Sequence, residues 1–285
     1  MRLLNFEVEG RQSCGALGSR GVVDLGARLG SRAQDVLSLL RADLTELAHE
    51  WAESDRCDYG AQEVRLLNPA GRCTRYFCIG VNYPARNEEY KDDSESPRYP
   101  SLFMRSHSSF SAPGEPIVRP RESVQLDYEG EIAVMIGRGG RRIPQDRALE
   151  HVFGYTCANE GTVRDWLRHS KFNVTQGKNF DRSGSLGPHI VTAEEVGSDP
   201  LRVTTRVNGQ IRQDDTSDRM IFPIPYLISY LSRFCTLECG DVILTGTPSG
   251  AGARLHPPRW LVPGDRVEVE VSRVGLLSNE VIDDL

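Results

Sequence analysis

Asp127-Tyr-Glu-Gly-Glu-Ile-Ala-Val-Met-Ile-Gly137 sets two carboxylates, Glu129 and Glu131, at the head of an apolar run. Successive side chains of a strand alternate between its faces, so the two glutamates point the same way. Ala133 and Met135 continue their face, and Ile132, Val134 and Ile136 line the opposite one. Two anions brought together above an apolar strand repel each other and lose hydration. A divalent cation removes both costs, and hard oxygen ligands suit Mg²⁺, Mn²⁺ or Ca²⁺ better than Zn²⁺. On this pair alone, a half-exposed strand with two solvated glutamates is the commoner arrangement.

A third carboxylate shifts that balance. Downstream, an apolar strand from Val152 to Ala158 delivers Asn159 and Glu160 to its end, where Gly161 turns the chain. The spacing predicts a helix over Thr162–Ser170, with Arg164 four residues beyond Glu160 and able to fall on the same side. Glu129, Glu131 and Glu160 together make a three-carboxylate site with positions left open for substrate and water, as a catalytic hard-cation site requires.

From about Arg75 to Val281 the chain resembles the fumarylacetoacetate hydrolase superfamily. The resemblance is carried by Gly80-Val-Asn-Tyr83, Tyr99-Pro-Ser-Leu-Phe-Met-Arg105, Leu126-Asp-Tyr-Glu-Gly-Glu131, Gly154-Tyr-Thr-Cys-Ala-Asn159 and Val163-Arg-Asp165. It continues through Gly177-Lys-Asn-Phe180, Leu186-Gly-Pro188, Thr205-Arg-Val-Asn-Gly209, Thr236 to Thr247 and Leu261-Val-Pro-Gly-Asp265. The resemblance implies an α+β fold: a rolled, mixed β-sandwich catalytic domain over 71–285 beside a small N-terminal α+β domain over 1–70. It implies one Mg²⁺ or Mn²⁺ per subunit on Glu129, Glu131 and Glu160, with Lys178 catalytic. Arg164, Thr247, Arg105 and Tyr83 would meet the substrate. It also implies a homodimer, and a polar lid over 88–99 that closes on the site.

Two positions depart from the family pattern. The third acid is commonly Asp, and Glu160 is one methylene longer, able to reach a cation from a slightly retracted backbone. Hydrolytic members carry a His followed three residues later by a Glu, a pair that activates water. Here Asn82-Tyr-Pro-Ala-Arg86-Asn-Glu-Glu89 keeps Glu89 but places Arg86 where the His would stand. Arginine stays protonated near neutral pH and cannot act as a general base there, whereas it can clamp a carboxylate with two hydrogen bonds.

The remaining histidines offer few replacements. His49 and His256 lie far from any motif, His169 is rotated off the Arg164 face, and His189 stands where relatives carry Trp. His107, just after the strand containing Phe103, is the first candidate for a substitute base. Gly137-Arg-Gly-Gly140 lacks phosphate-loop spacing and reads as a hairpin turn. Thr245-Gly-Thr-Pro-Ser-Gly250 reads as a turn whose Thr247 hydroxyl faces a substrate carboxylate.

Bulk properties narrow the class. The 285 residues carry a net charge of −6 with pI near 5.6, which argues against non-specific nucleic-acid binding. No apolar run reaches the roughly 20 residues that span a bilayer, and Met1 to Glu9 lacks a signal-peptide core, so a cytoplasmic location is expected. Seven cysteines without a Cys-x-x-Cys pair fit free thiols in a reducing compartment. In the N-terminal part, strands are expected at Leu3–Val8 and Gly21–Leu25, then one helix from Ala33 to Glu53. Beyond Tyr76 short strands alternate with Gly/Pro turns, and a second helix is expected from Pro225 to Phe234.

These features point to an enzyme acting on a small anionic 2-oxo or 2,4-dioxo acid through an enolate stabilised by the cation and Lys178. Carbon–carbon hydrolysis is the first expectation from the resemblance. Isomerisation or decarboxylation is the alternative that Arg86 favours. A ligand-binding protein that has lost its chemistry is the alternative from another class.

Overall fold

The computed structural model describes residues 1–54, 56–73, 75–84, 97–167, 169–170 and 173–284. Arg86, Glu89 and most of the expected lid over 88–99 lie outside the described residues. Among the described residues, the backbone builds one eleven-stranded sheet, one five-stranded sheet and a two-stranded ribbon.

Gly130–Ile136 is a central strand of the large sheet, paired antiparallel with Val152–Asn159 on one side and with Val242–Leu244 on the other. Its seven residues are all buried, and its alternation feeds two different cores. Ile132, Val134 and Ile136 pack with Val203, Val269, Leu227 and Leu231, which come from the five-stranded sheet and the helix Ile224–Phe234. Ala133 and Met135 pack with Leu25, Val36 and Leu39 from the N-terminal segment. Each fully buried aliphatic side chain contributes about 1.5–3 kcal/mol, so a one-residue slip of this strand would exchange both cores at once.

The sheets are mixed. Val242–Leu244 runs parallel to Tyr76–Ile79, and Gly275–Asp283 runs parallel to Ile117–Arg119, within otherwise mainly antiparallel pairing. This is the strand-rich α+β fold that the resemblance implied.

The N-terminal residues continue the large sheet. Arg2–Val8 hydrogen-bonds to Gly184–Thr192 through Arg2↔Val191 and Leu3↔Ile190, and Arg11–Gly18 and Gly21–Asp24 extend it outward. The expected helix from Ala33 to Glu53 is two helices, Val36–Arg41 and Thr45–Glu53. Asp35 caps the first by accepting from Ser38 N at 2.6 Å while Ser38 Oγ accepts from Asp35 N at 2.9 Å. Asp43, with φ of 55°, then takes the chain out of helical geometry. The second expected helix stands at Ile224–Phe234, with Pro225 in its first turn, where proline's missing N–H costs nothing.

Two local expectations are corrected. Thr162–Ser170 is not a helix: Thr162–Val163 is a strand paired with Leu126–Asp127, followed by a single 3₁₀ turn, Arg164–Trp166. Gly137–Gly140 opens the connection between two antiparallel strands, as a hairpin requires, but does not itself complete the turn: Gly140 pairs with Leu237 before the 3₁₀ segment Gln145–His151 leads into the next strand. Among the described residues, no helix is long and apolar enough to cross a membrane.

Candidate metal centre

The site forms where two neighbouring strands end together. Glu129 immediately precedes the strand Gly130–Ile136, and Glu160 immediately follows the strand Val152–Asn159. Antiparallel pairing brings the two acids side by side: Glu160 N donates to Glu129 O at 2.7 Å, and Glu129 N donates to the Asn159 side-chain oxygen at 2.9 Å. Glu131 sits one step into the strand, where its Oε2 accepts Gly246 N–H at 2.8 Å from the turn after Val242–Leu244.

Glu129, Glu131 and Glu160 each offer an oxygen within 4.8 Å of the others, and all three are at most 4% exposed. Ligand oxygens about 2.0–2.6 Å from a Mg²⁺- or Ca²⁺-like ion stand roughly 3–5 Å apart, so the spacing suits a hard divalent cation. Two buried oxygens, Glu131 Oε1 and Glu160 Oε1, have no hydrogen-bond partner among the described residues. Leaving a buried acceptor unpaired is costly, and a cation would satisfy both atoms. The donor set therefore fits a divalent metal ion.

The electrostatics agree. Burial pushes the Glu131 carboxyl well above the usual carboxylate range, and the Glu160 and Glu129 charges push it further. Lys178, on the short helix Thr175–Lys178, donates to both Glu129 Oε2 and Glu160 Oε2, the latter at 3.1 Å. Burial works to lower its pKa, but Glu129 and Glu160 outweigh it and raise it, so Lys178 is held as an ammonium. Its nitrogen lies 5.1 Å from the centre of the Phe103 ring.

Arg164 reaches the cluster through the two-stranded ribbon rather than through a helix. Its Nε donates to Asp127 at 2.8 Å and its Nη2 to Glu129 Oε1 at 2.6 Å. Thr247 is 2% exposed, donates to Gly130 O at 2.9 Å and accepts from Gln213 Nε2 at 2.8 Å.

Two residues expected to meet the substrate are buried and held within the protein. Each of the three Arg105 guanidinium nitrogens donates to a protein acceptor: Ser109 Oγ, Gly161 O, Ser109 O and Ser183 Oγ. Arg105 thus braces the turn that carries Glu160, because its cation finds these acceptors buried beneath the acids. Tyr83 is enclosed in the first core, and its hydroxyl has no hydrogen-bond partner among the described residues.

His107 does not join the acids. It borders a separate cleft of about 420 Å³ with Asn5, Asp35, Arg72 and Glu115. His189 is buried against Val274 O at 2.8 Å, and His169 packs edge-on against Trp166.

Three residues that the sequence reading did not single out belong to the site. Asp127 opens the quoted segment, and its place beside the glutamates was the available signal. Asn159 shared that signal as the strand's last residue. Gln213 carried none, because it arrives from the five-stranded sheet to accept from Gly130 N at 2.9 Å and orient Thr247.

The Glu160 turn leaves no room for a larger residue at 161. A Cβ there would stand 1.8 Å from Ser183 O. Gly161→Ala is expected to lower stability by about 1–3 kcal/mol and the melting temperature by several degrees. Differential scanning fluorimetry tests this, and an unchanged melting temperature would contradict the packing.

Residues 75–282 match the family model of the fumarylacetoacetate (FAA) hydrolase C-terminal domain. The chain belongs to the fumarylacetoacetate hydrolase family. This family member is 40% identical over 242 residues to oxaloacetate tautomerase YisK of Bacillus subtilis, covering 81% of this chain and 79% of the relative. It is 36% identical over 267 residues to the mitochondrial oxaloacetate tautomerase fahd2 of Xenopus laevis, covering 92% and 82%. Its fold superposes on the fumarylacetoacetate hydrolase of Exiguobacterium antarcticum with a TM-score of 0.85 and 32% identity over the whole of both chains. Maleylpyruvate hydrolase from Sphingobium sp. SYK-6, solved with manganese(II) and pyruvate, matches with a TM-score of 0.83 and 26% identity, again over both whole chains. The chain is thus an enzyme of a family with both isomerising and hydrolysing members.

Proposed function

We propose that this enzyme is a divalent-metal-dependent keto–enol tautomerase of a small 2-oxo diacid, with oxaloacetate the first substrate to try. The observation that carries the reading is the Lys178 ammonium held against two of the three buried carboxylates. It provides charge for an enolate without the His that water activation uses in hydrolytic relatives. Identity to two oxaloacetate tautomerases supports the same reading.

Tautomerisation moves one proton between C3 and the 2-oxygen and breaks no carbon–carbon bond. It therefore needs a place for negative charge on that oxygen and a carrier for the proton. A divalent cation held by Glu129, Glu131 and Glu160 would supply Lewis-acid polarisation of the 2-oxo group. Lys178 places a second positive charge beside the developing oxyanion, preorganised electrostatics of the kind that dominates many rate enhancements. In enolisation it gives the 2-oxygen a proton while C3 loses one to water, and in ketonisation it takes the enol proton back while water protonates C3. Counted as ionised, Asp127, Glu129, Glu131 and Glu160 stand against Arg105, Arg164 and Lys178, an excess of one formal negative charge. A bound divalent cation reverses that excess and makes the site attractive to a dianion. Arg86 has the fork geometry to clamp the distal carboxylate.

Carbon–carbon hydrolysis of an acylpyruvate is the second reading, favoured by the fold shared with two hydrolases. Enol-oxaloacetate and a panel of acylpyruvates, each with Mn²⁺ or Mg²⁺, separate the two when products are read by mass spectrometry. Accelerated ketonisation without cleavage is the expected result. Pyruvate plus a free acid would establish the hydrolase, and released carbon dioxide a decarboxylase. Metal binding without turnover of any substrate would favour a binding protein.

A further inference from the structure

Asp127 is completely buried, and both of its oxygens are engaged. Oδ1 accepts from Tyr128 N and Gly252 N at 2.8 Å each, and Oδ2 accepts from Ala253 N at 3.0 Å and Arg164 Nε at 2.8 Å. The two-stranded ribbon fixes this arrangement, with Thr162 opposite Asp127 and Val163 opposite Leu126. Arg164 therefore stands between two carboxylates, Asp127 on one side and Glu129 on the other.

Glu129 faces a conflict of demands. Lys178 and Arg164 both draw on its oxygens, and a metal ion must compete with them. A guanidinium paired with one carboxylate alone closes onto it with two hydrogen bonds. Here the fork is divided, because Nε is held by Asp127 and Nη2 reaches Glu129.

We propose that Asp127 is a positioning residue that neutralises and restrains Arg164, so that Glu129 keeps the charge and freedom to ligate a divalent cation. The inference rests on the metal reading of the three acids. In Asp127→Asn the side-chain oxygen can still accept from Tyr128 and Gly252, but the amide nitrogen faces the Arg164 and Ala253 N–H groups, donor against donor. Arg164 is then left with Glu129 as its carboxylate partner and closes on it in competition with the metal.

The test is a Mn²⁺ titration of purified protein, by calorimetry or by loss of the free-ion electron paramagnetic resonance signal. It compares wild type, Asp127→Asn, Arg164→Met and the double variant, with folding checked by circular dichroism. Outer partners of metal ligands typically change affinity about 10- to 100-fold. Asp127→Asn is expected to weaken Mn²⁺ binding by that factor. Arg164→Met is expected to bind no more weakly than wild type, and the double variant to return to near wild-type affinity. If Asp127→Asn binds like wild type, the proposal fails. It fails also if the double variant stays as weak as Asp127→Asn, since Asp127 would then act through the Gly252–Ala253 loop. A wild type that does not bind Mn²⁺ removes the metal reading itself, which distinguishes that failure from this one.

Discussion

Replacing Glu131 with Gln is expected to abolish metal binding and turnover while making the metal-free protein harder to unfold. Glu131 is 1% exposed and close to two other buried carboxylates, and burial and those neighbours disfavour its charged form. In the metal-free state the group is a liability, since a buried carboxylate costs free energy unless fully paired and Oε1 has no partner among the described residues. The amide is nearly isosteric, and its oxygen can keep the bond from Gly246 N. A gain of about 1 kcal/mol would raise the melting temperature by about 2–4 °C. The same change removes one of three anionic ligands, and Mn²⁺ affinity should fall by more than about a hundredfold. Wild type is expected to behave in the opposite way: added Mn²⁺ should stabilise it in proportion to the logarithm of concentration over Kd. Melting curves with and without Mn²⁺ decide the matter. A metal-free variant less stable than wild type, still stabilised by Mn²⁺, would contradict the proposed metal centre.

Lys178→Met should separate binding from chemistry. The methionine fills much of the space of the lysine stem, so the packing near Phe103 can be retained. The lost ammonium leaves Glu129 and Glu160 without a shared donor, which destabilises the metal-free protein. It also makes the cluster more negative, so Mn²⁺ affinity is expected to hold or rise. Turnover should fall about 10²- to 10⁴-fold at saturating Mn²⁺, the range for a lost acid–base or oxyanion-stabilising group. A variant with wild-type turnover would remove Lys178 from the mechanism. A variant that no longer binds Mn²⁺ would make it a structural support for the acids.

Much of the candidate site was legible before any tertiary information, for local reasons. Strand alternation follows from covalent geometry, so Glu129 and Glu131 could be assigned a shared direction and Ile132, Val134 and Ile136 the other. The two cores confirm that division residue by residue. The helix Ile224–Phe234 was legible because its apolar spacing and early proline are also local signals. Glu160 was recognisable as the last element of a strand and turn.

Where the reading failed, the deciding contacts lie far apart in the chain. Thr162 and Val163 became a strand because Leu126 and Asp127 were there to pair with them, a partnership no helical spacing predicts. Arg105 was expected at the substrate, and its bond to Gly161 O, 56 positions away, was not foreseen. Gln213 reaches Gly130 across 83 positions, and Gly246 reaches Glu131 across 115. By itself, then, the sequence determined the family, the central strand and the three acids, since each is written in short-range pattern and residue type. Only the tertiary structure decided which buried charges neighbour one another, because hydrogen-bond partners across sheets depend on which distant segments meet when both cores close.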